Sequence, residues 1–254
     1  MMTTQTISRF NTVSPIVYFA RTQLLAMLRN VKTLLIGILT PIFMLTIFWF
    51  TARGTEGAET IGLMFPVIVS LSVMLWGSNT AVRAVNWRQQ NLFQRLAVTP
   101  VPVGQLMLGD AAAQTLTSLI QGIVTLLFGT LVLGYAIEPT GLLLTLLVLL
   151  LAGACFIAFG LVIASFVNRA EVANPIYMFT LLPLFFLGGG LPGIPLPTVL
   201  QWIGDWSPVG VTNALVLPLL FEGQVPEGAL LKVLALVGYT AVFSLITTLK
   251  FRWE

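Results

Sequence analysis

Histidine is absent from the 254-residue sequence, and cysteine occurs once, at Cys155. The first absence removes imidazole metal ligands and imidazole acid–base catalysis. The second removes any disulfide within the chain. Charge is scarce too. Only 8% of residues are Asp, Glu, Lys or Arg, where an average chain carries roughly 25%. None of the three lysines follows a glycine; their predecessors are Val31, Leu231 and Leu249. A phosphate-cradling loop places its lysine after a glycine-rich turn, so this chain does not bind ATP in that way. No Gly-x-Ser-x-Gly elbow occurs, which excludes that route to a serine nucleophile. Gly109-Asp110 matches an intramembrane aspartyl protease only faintly, because Met107-Leu108 precede it and no second apolar run carries an acid to pair with it. The runs also lack a central carboxylate or lysine, the titratable group of a proton-coupled carrier. The first fifteen residues are polar, without a short apolar core and cleavage site, so no signal peptide is expected.

Apolar surface is what the chain has in excess. Hydrophobic residues make up 57% and the mean hydropathy is +0.97. A soluble domain of this length cannot hide that much, so the sequence predicts an all-α integral membrane protein. Helices are expected because lipid offers the backbone no hydrogen-bond partner, and short alternating strands are missing. Six spans are read at 31–51, 61–82, 111–134, 141–166, 173–187 and 230–249. Before them, Ser14-Pro15 suits a helix start. Ile16, Ala20, Leu24 and Leu28 then share a face that Arg21 and Arg29 avoid. Residues 14–30 read as an amphipathic helix in the headgroup plane; an early extension of the first span is the other reading.

The pI near 9.4 does not point to nucleic acid. A small basic excess is what loop cations at one face of a bilayer produce. Arg9, Arg21, Arg29, Lys32, Arg83, Arg88, Arg95, Arg169, Lys250 and Arg252 fall on one side of the six spans, and Arg53 and Lys232 on the other. That bias puts both termini in the cytoplasm of a multi-pass inner (plasma) membrane protein.

Two polar features interrupt the apolar runs. Between spans 2 and 3 lies RAVNWRQQNLFQRLAVTPVPVGQLMLGD, with Arg83, Arg88 and Arg95 and no acid before Asp110. It reads either as a cytoplasmic coupling element, helical over 86–97, or as an ordinary positive-inside loop. Within it Gln90, Leu92, Phe93, Gln94, Arg95 and Leu96 are the candidate contacts to a soluble partner; Leu92, Phe93 and Leu96 share a helical side. On span 3, Asp110, Gln114, Ser118, Gln121 and Thr125 recur at three and four residues. They line one helical face, as interhelical glue or as a substrate path; Asn79 on span 2 would join such a path. Between spans 5 and 6, the proline-rich but apolar segment 191–228 predicts two short re-entrant helices, because Val211–Phe221 is too short to cross. Trp202 and Trp206 stand there as an aromatic belt would place them.

Two stretches resemble the permease subunits of type-2 ATP-binding-cassette exporters. NLFQRLAVTPVPVGQLMLGD is similar to that family's cytoplasmic motif, a short helix followed by Leu96-x-x-Thr99-Pro100 and a new span. FFLGGGLPGIPLPTVLQWIGDWSPVGVTNALVLPLLFEG is similar to its connection between spans 5 and 6, with Gly189, Leu196, Pro197, Leu200, Gln201, Pro208 and Gly223 at matching places. The chain departs from the pattern at Gln90 and Gln94, where glutamates are frequent, and at Val209-Gly210-Val211, where an aromatic usually follows the Pro turn. The resemblance implies a permease that hydrolyses nothing itself. ATP and Mg would be bound by separate ATP-binding-cassette ATPase subunits, and a second permease copy or paralogue would stand beside this one. An amphipathic or apolar drug, lipid or glycolipid would be exported from the cytoplasm or inner leaflet. A membrane scaffold without transport activity and an intramembrane lipid-modifying enzyme are the alternatives from other classes.

Overall fold

The computed structural model describes residues 13–52, 62–92, 101–190 and 197–251. It is all helical, with no strand among the described residues. In chain order the helices are α1 (Val13–Arg29), α2 (Val31–Ala52), α3 (Met64–Met74), α4 (Trp76–Gln89), α5 (Val103–Leu131), α6 (Leu142–Phe166), α7 (Ala170–Phe185), α8 (Thr198–Trp206), α9 (Pro208–Phe221) and α10 (Ala229–Lys250).

Among the described residues, five helical stretches are long and apolar enough to cross a membrane: α3 with α4, then α5, α6, α7 with its continuation to Gly190, and α10. Crossing takes about 20 residues at 1.5 Å each. The first expected span, 31–51, falls on α2, a 22-residue helix whose described apolar part is Leu35–Thr51. Pro41 sits inside α2 and the helix continues past it. The stretch α3–α4 overshoots the expected 61–82 and ends only at Gln89. Residues 86–89, assigned on sequence to the coupling helix, are therefore the last turn of α4. Asn91 then takes a left-handed φ of 52° and turns the chain. The polar composition after Val82 suggested a helix end there, but tertiary partners carry the helix further, as the contacts of Arg83 and Arg88 below show.

The helix α6 is the middle of the bundle, with α3, α4, α5, α9 and α10 packed around it. It meets α4 backbone to backbone. A Cβ on Gly160 would fall on the Gly77 carbonyl, and a Cβ on Gly77 would fall on the Phe156 carbonyl and the Tyr177 ring. Glycine at both positions lets the two backbones touch, the usual device where lipid gives no hydrophobic drive between helices. Tyr177, fully buried, donates to the Met74 carbonyl at 2.6 Å and brings α7 to the joint between α3 and α4.

Both short helices expected between spans 5 and 6 are present as α8 and α9. They differ in burial. Ten of the residues of α9, among them Val211, Leu215 and Leu219, lie inside the bundle, whereas Trp202 on α8 is 65% exposed. Ser207 ends α8 and caps α9, accepting from Gly210 N at 3.0 Å. Three glycines seat this region. Gly204 lies against the Leu187 carbonyl, Gly210 against the Gly204 carbonyl, and Gly188 against the Gly210 backbone. Asn213 Nδ2 donates to the Gly188 carbonyl at 2.9 Å and ties α9 to the end of α7.

Candidate functional site

The polar stripe of α5 begins at its eighth residue, Asp110, because α5 starts at Val103 rather than near residue 111. Asp110, Gln114, Ser118, Gln121 and Thr125 are all buried. The helical spacing thus carries the whole stripe to the inside, but its members do different things. Ser118 Oγ donates to the Thr115 carbonyl at 2.8 Å, and Thr125 Oγ1 to the Gln121 carbonyl at 2.9 Å. Ser118 lies where a Cβ on Gly153 would meet it, so it packs against α6. Gln121 joins three helices: its Oε1 accepts from Trp76 Nε1 on α4 and its Nε2 donates to the Gly37 carbonyl on α2. Gln114 is 1% exposed, and its Oε1 has no hydrogen-bond partner.

Two cavities adjoin these residues and share Trp76 and Asn79. The larger, about 600 Å³, lies between α2, α4 and α7, with Gly37, Gln121, Asn174 and Met178 on its walls. The smaller, about 260 Å³, lies between the end of α1, α4 and α5, with Met27, Asn30, Arg83 and Gln114 on its walls. Asn79 is exposed between them, and Ser78 donates to Asn174 Oδ1 at 2.6 Å on the far wall of the larger one. Of the expected path residues, Asn79, Gln114 and Gln121 therefore reach a cavity. Ser118 and Thr125 face protein.

Arg83 and Asp110 form an ion pair between α4 and α5, and the Arg83 guanidinium lies 4.9 Å from the centre of the Trp87 ring. Sequence reasoning placed these two residues at opposite ends of a loop and missed the pair. The available signal was their opposite charge at the two edges of one polar stretch. It also passed over Trp76, although an indole N–H inside a membrane needs an acceptor. The amphipathic α1 packs along α5: a Cβ on Gly109 would meet the Ile16 carbonyl, and Thr117 Oγ1 donates to Met27 Sδ at 3.3 Å. Arg21 and Arg29 are on its exposed side.

The candidate coupling residues are only partly described. Gln90 and Asn91 are exposed and Leu92 is half-buried. Phe93, Gln94, Arg95 and Leu96 lie outside the described residues. What anchors the base of this segment is visible. Arg88 donates through Nη1 to the Ala164 carbonyl at 3.3 Å and through Nη2 to the Val167 carbonyl. Gln89 Nε2 donates to the Asn168 carbonyl at 3.1 Å. These are end carbonyls of α6 and the turn after it, which lack intrahelical donors and attract a cation. Arg88 also lies 5.8 Å from the centre of the Phe251 ring at the end of α10. The end of α4 is thereby tied to α6 and α10.

Comparison with curated proteins found no similar one. A family comparison did match: residues 15–221 fit the ABC-2 type transporter membrane domain. That stretch takes in α1 through α9, both cavities and the segment after α4. The chain is a multi-pass membrane protein, and it belongs to the ABC-2 type transporters as a non-catalytic permease subunit.

Proposed function

We propose that this chain is the membrane half of an ATP-driven exporter for an amphipathic or apolar substrate, leaving the cytoplasm or inner leaflet. The observation that carries the reading is the cavity of about 600 Å³ between α2, α4 and α7. Its wall mixes Ile36, Leu75, Val82 and Met178 with Asn79, Asn174 and Gln121. Such a mixture suits a molecule with an apolar body and a few polar groups, and a methionine adapts to varied shapes.

In this reading α2 is the first of six spans, and the face bearing Arg21, Arg29, Arg88, Arg169 and Lys250 is cytoplasmic in the plasma membrane. The helices α8 and α9 enter from the outer side. Separate ATPase subunits bind at Gln90–Leu96, and a second permease completes the path. Asn79, Gln114 and Gln121 are its polar contacts; Ser118 and Thr125 serve packing. Closing of the ATPase pair would move the segment after Asn91, and the ties of Arg88 and Gln89 would pass that movement to α6 and α10. Coupling of this kind requires the partner to bind two permease states with different free energy.

The test is ATP-dependent accumulation of an amphipathic dye in inside-out vesicles holding the permease and its copurifying ATPase. Accumulation that requires ATP, and that is altered by Asn79→Ala, supports the reading. No ATPase in the purified complex, or accumulation without ATP, rejects it in favour of a scaffold role.

A further inference from the structure

Gln114 and Arg83 leave buried hydrogen-bonding atoms unpaired on one cavity wall. Gln114 Oε1 accepts nothing, and Arg83 Nε, also buried, donates to nothing. Both side chains line the cavity of about 260 Å³. Buried polar atoms in folded proteins almost always have a partner, so an orphaned donor and an orphaned acceptor on residues that line one space call for an occupant. A single water occupies about 30 Å³, and the space is many times larger. Asn79 stands where it meets the larger cavity.

We infer that this smaller cavity is a subsite for the uncharged, hydroxyl- or amide-bearing head of an amphipathic ligand. The inference rests on the exporter reading above and names the class of its substrate. The head has to accept from Arg83 Nε–H and donate to Gln114 Oε1. Hydroxyl and amide groups do both, whereas a carboxylate only accepts. Charge makes the same selection. Arg83 is the charged side chain on this wall, and Asp110 already pairs with it. An anion entering would lose its hydration to a cation that is already matched, and a cation would meet Arg83 directly. Either loss lacks a compensating partner. Past Asn79 and Trp76 the apolar body of the ligand lies in the larger cavity, against Ile36, Leu75, Val82 and Met178.

The same head chemistry has two sources, a lipid of the bilayer and a neutral solute of the aqueous phase. The test uses the full chain in phosphatidylcholine nanodiscs, with binding read by native mass spectrometry. Monoolein and oleate share an acyl chain and differ in head, hydroxyl against carboxylate. Octyl glucoside below its micellar concentration is the aqueous probe. The expected result is retention of monoolein or octyl glucoside at least about tenfold above oleate, the effect of one good hydrogen bond lost. Gln114→Leu should abolish that preference and leave oleate retention unchanged. Asn79→Ala, on an exposed residue of the same wall, should reduce it and serves if Gln114→Leu does not fold. Retention of monoolein alone assigns the bilayer source, and of octyl glucoside alone the aqueous one. Oleate bound as tightly as the neutral probes overturns the inference. So does a preference unchanged in both variants, or no probe retained, which leaves water alone in the cavity. Loss of ATP-driven dye accumulation with the preference intact counts against the exporter reading and not against the subsite.

Discussion

Asp110 on α5 pairs with Arg83 on α4 inside the bundle, with the two side chains 6% and 23% exposed. Removing one partner of a buried pair strands the other, at about 3–5 kcal/mol, while replacing both with apolar residues is often neutral. Asp110→Asn should therefore lower the thermal midpoint of the detergent-solubilised protein markedly. Adding Arg83→Met should recover most of the loss. Two single losses that simply sum in the double variant would mean that the pair does not hold α4 to α5.

The contact of Gly77 with Gly160 allows a sharper packing test. Gly160→Ala puts a methyl group onto the Gly77 carbonyl. Overpacking of this kind costs about 1–3 kcal/mol. Gly238→Ala on α10 meets nothing within 4 Å and should be neutral or slightly stabilising, as alanine is the better helix former. Equal midpoints for the two variants in a thermal shift assay would contradict the α4–α6 crossing.

Gln121 and Asn79 should separate structure from transport. Gln121→Leu leaves the Trp76 N–H unpaired, which costs about 1–3 kcal/mol, and should cut stability and transport together. Asn79→Ala, exposed at the cavities, should keep the thermal midpoint and change the transport rate or substrate preference. An Asn79→Ala protein that transports every tested dye normally would remove Asn79 from the path.

Coupling is tested on Phe93 and Leu96. Changing both to alanine should leave the bundle folded and weaken ATPase docking by about 2–4 kcal/mol if both are interface anchors. Arg88→Met should act differently: docking is retained, but substrate-stimulated hydrolysis falls, because the tie to the Ala164 and Val167 carbonyls is lost. Pull-down and hydrolysis assays on the same preparations distinguish the two. Full stimulation in the Phe93/Leu96 double variant would move the docking site elsewhere.

Orientation is read by thiol labelling in a background without Cys155. Cysteine at Thr198, exposed at the start of α8, should react with an impermeant reagent added to intact cells. Cysteine at Gln94 should react only after permeabilisation. The reverse pattern would invert the assigned topology.

Sequence periodicity carried the inward face of α5 well. Spacing alone put Asp110, Gln114, Ser118, Gln121 and Thr125 on one side, and all five are buried. The same reasoning could not divide them, because whether a glutamine meets a cavity or a neighbour depends on α2 and α4, far away in the chain. Helix ends failed for a related reason. Polar residues after Val82 look like a loop until Ala164, Val167 and Asp110 are known to stand opposite them. The glycine crossing was illegible as well, since nothing near Gly77 announces that Gly160 is its counterpart. The two short helices of the proline-rich segment were readable because Val211–Phe221 is apolar but too short to cross, a judgement of length that needs no distant partner.

Gly188, Gly204 and Gly210 stack backbone on backbone where the end of α7 meets α8 and α9. Close backbone packing, with the Asn213 side chain tied to the Gly188 carbonyl, leaves little room for these pieces to slide past one another. A tilt of the end of α7 should therefore carry α8, and Trp202 on it, along. With the other five tryptophans replaced, emission of Trp202 excited selectively over tyrosine would report such a movement.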